Sequence, residues 1–159
     1  CVGLKDEALA ILQEAEAGIY SKKLTSWGKV RSLLFSSLTY KNLDYIETAF
    51  DNCRQAIMHC ERNQFASLKA RAISCLASLY REQGEFASAI DKHLEAIITM
   101  SKIGDKCNLA EAYYQLGLTY QRMHEVRRSR DNFTRAIALF SEIQAPRQVE
   151  KVQTAMDGL

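Results

Sequence analysis

A chain of 159 residues with 47% hydrophobic content can bury a sizeable core without disulfide or metal staples. Its 21 basic and 19 acidic residues leave a formal charge of +2, too balanced for a surface whose main task is neutralising phosphates. One proline, seven glycines and no apolar run of membrane-spanning length point to a mostly helical chain that does not enter the bilayer.

Residues 4–21 read as the first helix, with Ala8, Leu12 and Ala15 on one side. This is the half repeat 3–22, the second helix of a unit whose first helix is missing. Further helices are predicted over residues 26–41, 45–61, 65–83, 85–102, 106–123, 125–142 and 146–156. They pair into complete repeats at about 25–63, 64–103 and 104–143, and a capping helix occupies 145–158.

The pairing rests on a forty-residue period. Tyr40, Tyr80 and Tyr120 recur forty apart, followed by Ala49, Ala89 and Ser129 and then by Ala56, Ala96 and Ala136. Small side chains seven apart on one helical face let neighbouring helix backbones approach closely. Asp44, Gly84 and His124 each lie four residues past the repeating tyrosine, and all three tolerate the left-handed conformation that ends a helix. Gly104 and Asp105 read as a terminator followed by an N-cap. Pro146 suits the first turn of the last helix, where its missing N–H would be unpaired anyway.

In the third unit Tyr113, Leu116, Gly117 and Tyr120, followed by Phe133 and Ala136, resemble the signature of a tetratricopeptide repeat. The second unit keeps Leu76, Ala77, Tyr80, Ala89 and Ala96, with Ile73 and His93 at the aromatic places; the first is looser. Forty-residue units look more like the longer repeats of kinesin light chain and of cell-polarity adaptors. The resemblance implies an all-α fold, a right-handed α-solenoid of antiparallel helix pairs in which the first helices line a concave groove for a peptide or helix of a partner protein. The expected groove residues are Arg31, Leu34, Phe35 and Leu38, then Arg71, Ser74, Cys75 and Ser78, then Glu111, Tyr114, Gln115 and Leu118. Where adaptor relatives carry a peptide-holding asparagine, this chain has Phe35, Cys75 and Gln115, so only Gln115 offers comparable chemistry.

Catalytic and cofactor signals are lacking. No nucleophile motif or Gly-rich phosphate loop occurs, and His59, His93 and His124 have no second ligand at metal spacing. The expectation is a non-enzymatic scaffold without cofactor or metal. Two other readings compete: a structural spacer that self-associates through its terminal helices, and a nucleic-acid-binding repeat using the cluster Arg122, Arg127, Arg128, Arg130 and Arg135. Cys1, Cys53, Cys60, Cys75 and Cys107 form no C-x-x-C pair and are odd in number, which fits a reducing compartment. With Cys1 in place of methionine and no signal-like leader, the expectation is a cytoplasmic segment of a longer polypeptide. Asn132, Phe133 and Thr134 spell a glycosylation sequon, but Phe133 falls on a core face, so its occurrence is read as chance.

Overall fold

The structure, a computed structural model, describes Glu7, residues 9–14 and residues 24–159. The expected helix over 4–21 falls mostly outside the described residues; within them, residues 9–14 are helical and Leu12 is buried. Seven further helices follow: α1 Ser26–Asn42, α2 Ile46–Asn63, α3 Ala66–Glu82, α4 Phe86–Ile103, α5 Lys106–Arg122, α6 Val126–Glu142 and α7 Pro146–Asp157. No strand occurs among the described residues.

Helix ends follow from local chemistry. The Thr25 hydroxyl accepts from the Gly28 N–H at 3.1 Å and starts α1, while a carboxylate oxygen of Asp105 accepts from the Asn108 N–H at 3.2 Å and starts α5. Each satisfies a donor that has no partner within the helix. Pro146 sits at the start of α7.

Six residues with left-handed φ angles break the helices at intervals of twenty: Asp44 (69°), Gln64 (56°), Gly84 (79°), Gly104 (71°), His124 (59°) and Gln144 (55°). After each, the next backbone N–H turns back to a carbonyl in the last turn of the preceding helix. Tyr45, Glu85 and Glu125 donate to the Tyr40, Tyr80 and Tyr120 carbonyls at 2.9 Å, whereas Phe65, Asp105 and Ala145 donate to those of Cys60, Met100 and Phe140 at 2.9–3.0 Å. This six-to-one bond is the Schellman closure, which satisfies a carbonyl the helix leaves open. The three repeating tyrosines therefore hold the same backbone role.

The molecule divides into two compact units at Cys75 and Leu76, inside α3. In the first, Val30, Leu33 and Leu34 of α1 meet Ala56 and Cys60 of α2 and Leu68 and Ala72 of α3. In the second, Ala110 and Tyr114 of α5 pack with Phe133, Ala136 and Phe140 of α6 and Val152 of α7. The small residues at the repeat positions, Ala49, Ala56, Ala89, Ala96 and Ala136, are wholly buried, as close approach of paired helices requires. Phe133 is wholly buried too.

Candidate functional site

The first helix of each pair carries the residues expected to meet a partner. In the first unit, α1 contains Lys29, Arg31 and Lys41 and no acidic residue. Its helical spacing puts Trp27, Arg31 and Phe35 one turn apart on one face. The Arg31 guanidinium lies 4.7 Å from the Trp27 ring centre and 5.8 Å from that of Phe35, distances at which a ring face attracts a cation. All three are exposed, Trp27 by 48% and Phe35 by 57%, and Leu38 one turn further is 47% exposed. Large apolar side chains are thus left in water on a helix whose opposite face, with Val30, Leu33 and Ser37, is fully packed.

Leu34 and Ser74 are buried, whereas Arg71 and Cys75 are half-buried. Ser37 donates its hydroxyl proton to the Ala49 carbonyl at 2.9 Å, and the same oxygen lies 3.1 Å from Cys53 Sγ and 3.7 Å from Cys75 Sγ. The hydrogen bond with Cys53 outweighs burial and, with the cations Lys41 and Arg71 nearby, holds the Cys75 thiol below its ordinary value. The same bond and full burial push the Cys53 thiol up.

In the second unit the expected groove residues are bound to one another. Arg81, buried apart from 6% of its surface, donates from Nη1 to the Gln115 carbonyl and to Gln115 Oε1, both at 3.0 Å. Ser78 Oγ donates to the same Oε1 at 3.4 Å, and Gln115 Nε2 donates to Glu111 at 2.9 Å. The Gln115 amide is already engaged within the protein. Tyr114 is buried, its ring centre 5.8 Å from that of Phe133, and Leu118 is half-buried. Lys151 of α7 reaches both the Tyr114 ring, at 4.3 Å, and Glu111, at 3.6 Å.

Of the arginine cluster, Arg122 pairs with Glu82 at 2.8 Å, and Arg128 pairs with Glu125 at 3.6 Å and lies over Tyr120. Arg135 lies over Tyr113 at 5.5 Å. Three of the five thus have structural partners. Among the described residues, no group of His, Cys, Asp and Glu is placed to hold a metal ion, and no helix is long and apolar enough to cross a membrane.

Residues 68–142 match the family model for the tetratricopeptide repeat. They form tetratricopeptide repeats. The chain as a whole is similar to BtubC from P. vanneervenii, with a TM-score of 0.68 and 16% identity over 99% of this chain and 76% of that one. RapI, solved in its apo form, matches with a TM-score of 0.69 and 13% identity over 96% of this chain and 45% of RapI. The nearly identical TPR-like repeats assigned to a kinesin light chain from P. anserina give 0.64 and 15%, over 96% and 79%. At these identities the likeness is one of fold, and it places the chain among helical repeat proteins. No curated protein sequence matches it. The tetratricopeptide pattern did not single out Trp27; its position four residues before Arg31 is the signal that marks it.

Proposed function

We propose that the chain is a protein-interaction scaffold, without catalytic activity, that binds a peptide or helix of a partner on the first-helix surface around α1. The observation that carries this reading is the exposed row Trp27, Arg31, Phe35 and Leu38, three large apolar side chains about an arginine on a helix without acidic residues. An apolar anchor laid between Phe35 and Leu38 would leave water, and Arg31 with Arg71 would meet acidic groups beside it. RapI and the kinesin light chain repeats support the reading as examples of the same repeat architecture. The free thiols of Cys53, Cys60, Cys75 and Cys107 support a reducing, cytoplasmic location.

Selection of a random peptide library on the full chain tests the proposal without knowing the partner. Peptides enriched on the protein should carry a large apolar residue and lose binding to the variant Phe35→Glu/Leu38→Glu. That variant should keep its helical circular dichroism, since both side chains already face water. Peptides that bind it with undiminished affinity would remove α1 from consideration.

A further inference from the structure

We propose that Cys75 and Cys53 are a peroxide-responsive dithiol, in which Cys75 reacts with a hydroperoxide and Cys53 closes a disulfide onto it. Three helices bring the groups together. Ser37 of α1 faces Cys53 Sγ of α2 and Cys75 Sγ of α3 from one oxygen, at 3.1 and 3.7 Å. Their exposures divide the labour. Cys75 keeps part of its surface exposed, while Cys53 is wholly buried.

The electrostatics agree with this geometry. The thiolate is the reactive form of cysteine, and the bond from Cys53 together with Lys41 and Arg71 favours it at Cys75. Cys60 provides a contrast within the same unit: burial pushes its thiol up to about 11. Cys107 is exposed and provides the contrast for access alone.

The chemistry balances with a hydroperoxide as the only co-reactant. The Cys75 thiolate attacks the terminal peroxide oxygen; an S–O bond forms, the O–O bond breaks, and the departing alkoxide or hydroxide takes a proton from water. Cys53 sulfur then attacks Cys75 sulfur, so that the S–S bond forms as the S–O bond breaks, and hydroxide leaves with the Cys53 proton as water. Two thiols and one hydroperoxide yield a disulfide, an alcohol or water, and a further water. The bond would join α2 to α3 and remove the Cys75 thiol from the first-helix surface. It forms whether or not that surface binds a peptide, so it stands apart from the function proposed above.

The test treats the reduced full chain with hydrogen peroxide at neutral pH and maps its disulfides by mass spectrometry. The expected product has lost two hydrogens and carries a Cys53–Cys75 crosslink, which persists in Cys107→Ser and is absent from Cys75→Ser. In Cys53→Ser the reaction should stop at a Cys75 sulfenic acid that dimedone traps. Before oxidation, iodoacetamide should label Cys75 at least about tenfold faster than Cys60. A peroxide-treated chain without the 53–75 crosslink overturns the proposal, as does labelling of Cys75 no faster than Cys60. Both decisive measurements use the unsubstituted chain, so a variant that fails to fold leaves the test intact.

Discussion

Gly117 stands so close to the Phe133 ring that a Cβ added to the glycine would lie 2.5 Å from Cδ1 and Cε1. The same pair of positions holds Ser37 with Cys53 in the first repeat and Ala77 with His93 in the second, and all six residues are buried. As the residue on the second helix grows from cysteine to histidine to phenylalanine, the one facing it shrinks from serine to alanine to glycine. Each repeat reaches close packing by a different division of the same space.

Gly117→Ala should therefore destabilise the chain although alanine is the better helix former. Overpacking of this kind costs about 1–3 kcal/mol, against a gain of up to ~1 kcal/mol from helix propensity. Adding Phe133→Leu, which shortens the opposing side chain, should cost less in the Gly117→Ala background than on its own. Urea denaturation of the four members of this cycle measures the coupling, and strictly additive effects would contradict the contact.

The glutamines at Gln64 and Gln144 hold left-handed angles that cost an L-residue about 1–2 kcal/mol. Glycine at either position should raise stability by about 0.5–1 kcal/mol, part of the gain being offset by the greater freedom of glycine in the unfolded chain. Thermal melts of Gln64→Gly, Gln144→Gly and the double variant check this. The double variant should show the sum, because the two turns lie eighty residues apart and in different units.

His93 is wholly buried, and burial together with the positive charge of Arg81 lowers its imidazole to about 3. Unfolded, it would titrate near 6.5, so between these values the unfolded chain binds a proton that the folded one does not. The stability that goes with the neutral form is complete above about pH 6.5 and is lost as pH falls toward 3, on the order of a few kcal/mol. Chemical denaturation between pH 7 and 4 should show that loss, and His93→Leu should flatten the profile. An unchanged slope in the variant would place the acid sensitivity elsewhere.

Ala89 is wholly buried on α4. Ala89→Glu forces a carboxylate into the helix pair without room or a partner and should cost about 3–5 kcal/mol. Hydrogen exchange should show the loss concentrated in the unit containing residues 76–159, since stability in repeat proteins is carried by neighbour contacts. Uniform protection in both units would contradict that picture.

The period and the helix pairs were legible because two chemical signals coincide, recurring tyrosines and residues that tolerate a left-handed turn four positions later. Asp44, Gly84 and His124 announced three of the six turns, and Gly104 a fourth. Gln64 and Gln144 gave no such sign, because glutamine has no preference for that conformation and adopts it here only through the closures to the Cys60 and Phe140 carbonyls. The candidate surface was legible by helical phase at Phe35 and Leu38, which are exposed. Phase alone could not reveal that Tyr114 turns onto Phe133 or that Gln115 is taken up by Arg81, since both depend on which neighbour reaches them first. Cys53 and Cys75 lie 22 residues apart on different helices, a spacing that carries no signal until the helices pack.

The evenly placed left-handed residues have a consequence for how such a chain can change length. Because every segment between them has the same extent, removing or duplicating forty residues splices like onto like and returns each later side chain to its own side of its helix. A gain or loss of one residue within a helix instead rotates all that follow in that helix by about 100° and carries alanines out of the seams. Growth by whole cassettes is the change that this arrangement accepts most readily.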